Sequence, residues 1–308
     1  MKLEEVEKLM EEKPYLLIMG KGKLAKRFNT SPKVIEMARE FVKSKRSNKP
    51  KVPKILLFDL ETAPMMAYVW NRWKQNIALN QTISESYIIC WSAKWLYSPN
   101  VVGDVLTPEE AINMNDRRIC ESLYELINEA DIVIAHNGDQ ADIPWMNSRF
   151  IIHGFPPPKP YYSIDTLKIA KKQFGFSSNK LDALATYFGF PNKIETNFEL
   201  WKGCIHGCPQ ALQDMLTYNK QDVAILEEVY LKLRPWQKDH PNLANLLDSD
   251  VIMCPNCGSH DYEVLEGEYY YTSVGKYQIY RCKHCGAVFR DRYSVRNKKV
   301  TQVRVVGR

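Results

Sequence analysis

No stretch of the 308-residue chain stays apolar over the ~20 residues that a helix needs to span a bilayer, so a membrane-spanning helix is not expected. The opening residues, "MKLEEVEKLMEEK", are acidic and lack the apolar centre of a secretory signal. Internal repeats and low-complexity tracts are absent, which sets aside solenoids and biased linkers. Acids are nearly missing from two regions. Between Lys21 and Lys54 only Glu36 and Glu40 interrupt the basic residues, and from Arg290 onward only Asp291 does. The net charge of +6 therefore gathers at the two ends, around a nearly neutral middle. Such a distribution fits a polyanionic partner, and it also fits a solvated surface.

What is present divides into three parts: residues 1–50, 51–248 and 249–308. In the first, Leu24, Ala25 and Phe28 are spaced for one helix face. "NTSP" then supplies a turn, Ser31 as an N-cap and Pro32 at the first helical position. Val34, Ile35 and Ala38 form the next apolar stripe. Ala25, Asn29 and Ile35 fall where a helix-turn-helix places its small, turn and buried branched residues; a plain helical hairpin fits as well. "KSKRSNKPKVPK" reads as a linker.

The middle part alternates strand and helix signals. "KILLFDLE", "YIICWSAKWLY", "NVVGDVL" and "DIVIAHN" read as strands, the second and third as antiparallel neighbours. "DRRICESLYELINEA", "NKLDALATYFGF" and "PQALQDMLTYNKQDVAILEEVYLKL" read as helices. The fold class is α/β, with a mixed sheet flanked by helices.

Within that pattern, "ILLFDLETAP" is an apolar strand that ends in two acids. Residues two apart on a strand share a face, so the carboxylates of Asp59 and Glu61 lie side by side and repel unless a proton or cation sits between them. Asp142 opens a helix in "HNGDQADIPWMNSR" and by itself reads as a cap. Tyr218 and Asp222, four apart, share a helix face.

The third part holds Cys254-x2-Cys257 and Cys282-x2-Cys285, each pair followed by Gly. Four thiolates at this spacing bind one Zn²⁺ as a closed structural site. "EYYYTSVGKYQIYRC" between the pairs reads as a hairpin around Val274-Gly275, and the whole resembles a zinc ribbon. The ribbon either staples a module too small for its own core or docks nucleic acid or protein. Tyr269, Tyr270, Tyr271, Tyr277 and Tyr280 beside a basic tail lean towards nucleic acid.

Taken together, "FDLET", "HNGDQADIPWMNSR" and "YNKQD" resemble, in order and approximate spacing, the three motifs of the DEDD exonucleases, which have the ribonuclease H-like fold. Tyr218 places the resemblance in the DEDDy branch. Asn137 to Arg149 is most similar to the proofreading exonuclease domain of family B DNA polymerases, and "NKLDALATYFGF" resembles the helix that precedes the third motif there. The likeness covers about residues 54–235. No long second domain is available for a polymerase site, so the resemblance implies a nuclease that stands alone or works with a separate DNA polymerase or replication protein.

It further implies that Asp59, Glu61, Asp142 and Asp222 hold two Mg²⁺ or Mn²⁺ ions, Asp142 partly through water. Tyr218 would orient the attacking water, and Asn137 would touch the substrate or tie the second motif to the first. The expected activity is 3′→5′ hydrolysis of DNA at single-stranded or frayed ends to 5′-mononucleotides. Exoribonuclease activity, structure-selective endonuclease activity and a non-catalytic DNA-binding or replication-assembly role are the alternatives. The expected setting is a reducing cytoplasm, bacterial or that of a virus's host.

Other residues carry plainer readings. Asp165 and Asp182 read as helix caps. Cys204, His206 and Cys208 are one ligand short of a metal site, and His136 reads as structural. Trp70, Trp73, Trp91 and Trp95 read as core packing rather than as platforms for bases.

Overall fold

The computed structural model describes residues 1–12, 21–47, 53–190, 196–247 and 251–296. Part of the expected linker (48–52) and most of the basic tail (297–308) lie outside them. Chain contacts divide the molecule into two units, residues 1–52 with 246–248, and residues 53–245 with 249–308.

In the first unit, α1 (Leu3–Glu12), α2 (Lys21–Arg27) and α3 (Pro32–Ser47) bury Val6, Met10, Leu24, Ala25, Ile35 and Ala38 in a common core. The Ser31 hydroxyl accepts from the Val34 amide at 3.3 Å and caps α3. Asn29 adopts a φ of +48° between α2 and α3, a left-handed turn that its short polar side chain tolerates. That geometry serves a helix-turn-helix and a plain hairpin alike.

The second unit is built on β1 (Ile55–Thr62). A short ribbon of β2 (Met66–Ala67) and β3 (Thr82–Ser84) follows, then β4 (Ile88–Trp95) and β5 (Val102–Val105). After α4 (Pro108–Ile112) and α5 (Arg117–Glu129) come β6 (Ile132–Ala135), α6 (Asp142–Ile152) and β7 (Tyr162–Asp165). Helices α7 (Thr166–Gln173), α8 (Leu181–Tyr187), α9 (Phe198–Ile205) and α10 (Pro209–Leu233) complete the core. The sheet order is β5-β4-β1-β6-β7, with β4 antiparallel to β1 and β5, and β1, β6 and β7 parallel. This is the mixed α/β architecture of a ribonuclease H-like fold.

The register explains why the site forms where it does. β6 pairs only with Ile55, Leu56 and Leu57 of β1, whereas β4 follows β1 as far as Thr62. The last half of β1 therefore faces an opening on its β6 side, at the carboxyl ends of parallel strands, where open α/β sheets place their ligands. α10 packs along β1 and β4 and is fixed there by buried Glu227, which pairs with Lys94 and accepts the Tyr97 amide at 2.7 Å.

A buried ion pair anchors the opposite side. Asp116, fully buried, accepts from Arg149 Nε and Nη2 at 2.7 Å each, from the Ile88 amide at 2.9 Å and lies 2.6 Å from His153 Nε2. Burial pushes its carboxyl up, but these bonds outweigh burial and hold it below the ordinary carboxylate value.

Of the four tryptophans expected in the core, Trp91 is buried and Trp95 packs against the core partly buried. Trp70 and Trp73 are 92% and 83% exposed. They lie between β2 and β3, strands that form a two-stranded ribbon of their own, apart from the main sheet. No helix among the described residues is long and apolar enough to cross a membrane.

The C-terminal ribbon has the expected hairpin. β8 (Tyr262–Tyr271) pairs with β9 (Lys276–Cys282), and β10 (Val288–Arg290) adds a third strand. Tyr280 does not face solvent as expected of a base platform. It is buried against Tyr262 and Phe289, with ring centroids 5.3 and 5.4 Å away. Lys276 covers the Tyr269 ring at 3.6 Å and Arg290 the Tyr277 ring at 4.2 Å.

Replacing Asp116 by Asn leaves the Arg149 cation buried without its counter-charge, at an expected cost of about 3–5 kcal/mol. The carboxyl is depressed in the fold, so its stabilisation is complete above the unfolded value of 3.8 and is lost as pH falls through the lower folded value. Urea unfolding should show a wild-type advantage that is steady near neutral pH and shrinks below about pH 3.8. Matching midpoints for both proteins at neutral pH would contradict this role.

Candidate active site and metal centres

The apolar half of β1 is buried, and from Asp59 onward the strand is half-buried. Asp59 and Glu61 sit opposite Ser92 and Cys90 of β4. Burial pushes the Cys90 thiol well up, and the neighbouring Glu61 and Asp59 charges add to it. Asp222 reaches the same spot from α10. Carboxylate oxygens of Asp59, Glu61 and Asp222 all lie within 4.8 Å of one another.

Asn219 was not singled out in the sequence, although it lies in "YNKQD" three residues before Asp222 and hence on the same helix face. It is fully buried, and its Nδ2 donates to Asp59 Oδ2 at 2.7 Å. Its own Oδ1 is buried with no hydrogen-bond partner among the described residues. This buried amide donor restrains the Asp59 carboxylate from the side of α10.

Asp142 is placed differently from the three converging acids. Its Oδ1 accepts from the Leu60 amide at 3.1 Å, on the stretch of β1 that β6 no longer pairs. The carboxylate thus serves the ladder where a strand would, rather than capping α6, whose N-cap is Ala141. Burial pushes its carboxyl up to about 6, against the pull of the Leu60 amide. Tyr218 is buried one turn before Asp222, with its ring edge-on to Trp201 at 6.5 Å.

The loop after β6 is bound to the neighbouring elements. Asn137 takes a φ of +66°, and its amide donates to Asp165 Oδ1 at 2.9 Å. The same Asp165 oxygen accepts from the Leu167 amide, so this residue caps α7 as expected. His136 is structural: Nδ1 lies 2.9 Å from Thr166 Oγ1 and Nε2 3.0 Å from the Asn179 carbonyl. A Cβ on Gly138 would meet that of Ala135 at 2.4 Å, so the loop cannot accept a side chain there.

These elements enclose a cleft of about 550 Å³. Asp59, Glu61, Asn137 and Asp222 line it, and Lys171 and Lys180 bring positive charge to it. Asp182 lines the cleft too. It does not cap α8, whose N-cap is Lys180, because it already lies within the first helical turn.

Two further donor groups need separate treatment. Asp116, Cys120 and His153 also converge, but the Arg149 guanidinium already supplies the cation on that carboxylate. Cys204, His206 and Cys208 do not come together: the Cys204 thiol donates to the Ala211 carbonyl at 3.3 Å, while His206 Nδ1 faces the Lys202 carbonyl.

In the ribbon, Cys254, Cys257, Cys282 and Cys285 bring their sulfurs within 4.8 Å of one another. Gly258 and Gly286 follow each pair with φ of +74° and +85°, which lets the chain fold back. The Cys285 amide lies 3.5 Å from Cys282 Sγ, as a donor to a thiolate should. The two donor sets differ in kind. Soft thiolates in a closed foursome suit Zn²⁺, and hard carboxylates suit Mg²⁺ or Mn²⁺.

Residues 107–234 match the family model of the RNase_H superfamily. The match includes Asp142, Tyr218 and Asp222 and begins after Asp59 and Glu61. Protein NEN2 of Arabidopsis thaliana is 31% identical over 105 residues, 31% of this chain. The matched stretch spans 21% of that relative's length. Among solved structures, the family B DNA polymerase of the hyperthermophilic archaeon Pyrobaculum calidifontis aligns with 60% of this chain and 25% of its own, at 16% identity and a TM-score of 0.45. Residues 107–234 are thus similar to the RNase_H superfamily, over somewhat less than half of the chain.

Proposed function

We propose that this protein is a metal-dependent 3′→5′ exonuclease of the DEDDy type that acts on single-stranded or frayed 3′ ends of DNA and releases 5′-mononucleotides. The observation that carries the reading is the convergence of Asp59, Glu61 and Asp222 within 4.8 Å on the wall of the cleft. Residues 51–248 are the proposed catalytic domain, 1–50 a helix-turn-helix-like segment and 249–308 a zinc ribbon with a basic tail. The enzyme would act in a reducing cytoplasm, alone or beside a separate DNA polymerase. Eight free thiols fit that compartment.

Asp59, Glu61 and Asp222 would hold the cations, with Asp142 contributing from its tether on the Leu60 amide. The chemistry supplied by two bound Mg²⁺ or Mn²⁺ ions is stabilisation of the attacking and leaving oxygens of the phosphodiester and a lower pKa for the attacking water. Asn219 keeps Asp59 in place. The Tyr218 hydroxyl orients the water rather than removing its proton, because a phenol with a pKa near 10 is a poor base at neutral pH. Lys171 and Lys180 face the phosphates of the bound strand, and Asn137 contacts the terminal nucleotide.

Asp59→Ala and Asp222→Ala should each cut the cleavage rate by more than about 100-fold, beyond the loss seen when only a supporting residue is changed. Asn219→Ala should cost about 10–100-fold, and Tyr218→Phe should be the mildest. Cleavage of end-labelled DNA in Mg²⁺ measures this series; wild-type rates for Asp59→Ala or Asp222→Ala would remove the proposed site.

Elemental analysis of protein purified without chelator should find about one Zn²⁺ per chain. Cys254→Ser combined with Cys282→Ser should lose that ion and unfold the ribbon at lower temperature. A zinc-free wild-type protein would overturn the ribbon assignment.

A further inference from the structure

The C-terminal ribbon is fastened to the core by its first cysteine knuckle. Asn256, between Cys254 and Cys257, is buried, and its Nδ2 donates to the carbonyls of Arg234 and Gln237 at 2.8 and 3.0 Å. The Leu243 amide donates to the Pro255 carbonyl at 2.9 Å. The ribbon therefore closes the end of α10, and a groove of about 1240 Å³ runs between the two. That exceeds the ~300–1,000 Å³ of small-molecule pockets.

The groove has two walls. The core supplies Trp236 and Lys238, and the ribbon supplies Tyr270, Arg281, Arg290 and Arg292. Among the described residues Asp291 is the sole acid in the lining, and its carboxylate accepts from the Tyr293 amide at 3.2 Å. Glu263 lies directly opposite Arg281 in the sheet, outside the lining of the groove. Trp236 is braced on one side by the Phe174 ring, 5.4 Å away, and remains 59% exposed; Tyr270 is 51% exposed. A protein-docking face loses charge towards its centre. Here cations lie beside partly exposed rings, with the Arg290 guanidinium 5.5 Å from the Tyr270 ring, a combination that grips a single strand by its phosphates and stacks its bases.

One helix contributes to both the cleft and the groove. Lys171 of α7 lines the cleft, and Gln173, two residues further along the same helix, lines the groove.

We infer that the groove between the ribbon and the core binds single-stranded nucleic acid and holds the part of the strand upstream of the cleaved end, an inference that rests on the proposed exonuclease reading. The zinc-type site then has a role beyond stapling, because it presents the arginine wall.

Fluorescence anisotropy with labelled oligothymidylates of 4 and 20 nucleotides, in buffer without added divalent cation, tests the groove apart from catalysis. R281A/R290A/R292A should bind the 20-mer about ten-fold or more weakly than wild type. Each phosphate contact with a single strand contributes about 0.7 to the log–log salt slope, so the slope should flatten by about 2. Binding and Mg²⁺-dependent cleavage of the 4-mer should not change. Zinc content and unfolding temperature verify that the ribbon survives. K238E, on the opposite wall and outside the ribbon, should weaken the 20-mer as well, with zinc content again checked. Wild-type affinity and slope in both variants would overturn the inference even if the enzyme cleaves normally. Groove-dependent binding by a protein that cleaves nothing would keep the inference and remove the exonuclease reading.

Discussion

Three carboxylates meet at the end of one buried strand, and their mutual repulsion is the constraint around which this molecule is arranged. At about 4 Å and an effective dielectric of about 20, each like-charged pair costs roughly 4 kcal/mol. Asp59, Glu61 and Asp222 come within 4.8 Å nonetheless, because elements far apart in sequence hold them there. β4 and the base of β6 fix the direction of β1, and α10 delivers Asp222 together with the Asn219 amide that restrains Asp59. Asp142 satisfies the Leu60 amide just where β6 stops pairing. A fold does not maintain such an arrangement cheaply, and a divalent cation offsets its cost while making it useful.

The features legible in the sequence were those with a local period. The strand alternation of Asp59 and Glu61, the four-residue spacing of Tyr218 and Asp222, the Ser31 cap and the paired cysteines all depend on neighbours within one element. The structure places each of them in the element expected. What the sequence hid depends on partners far along the chain. Asn219 becomes a positioning residue only because Asp59, 160 residues away, lies across from it. Asp116 and Arg149 read as ordinary charges until α5 and α6 bury them together. Trp70 and Trp73 were expected to pack in the core, yet they lie exposed between β2 and β3, strands that pair with each other and not with the main sheet.

The cysteine ribbon illustrates the same distinction. Its ligands follow from spacing, but its relation to the core follows from Asn256, an unremarkable residue inside the knuckle whose amide closes the end of α10. A metal-type centre that looks from sequence like a separate module is thereby joined to the unit that carries the converging acids. Its arginines line a groove between it and the end of α10. Three-helix packing in the first unit supplies a compact platform of its own, with Asn29 turning the chain between α2 and α3.

The central claim is that the converging acids form a cation-dependent site that works on the 3′ end of a strand. Its most direct measurement is degradation of 5′-labelled DNA and RNA oligonucleotides with free or blocked 3′ termini, in Mg²⁺, in Mn²⁺ and in EDTA. The account predicts a ladder of products shortened one nucleotide at a time from a free 3′ end of DNA, arrest at a blocked end, and no products in EDTA. Internal cuts in the blocked substrate, or undiminished cleavage in EDTA, would contradict it.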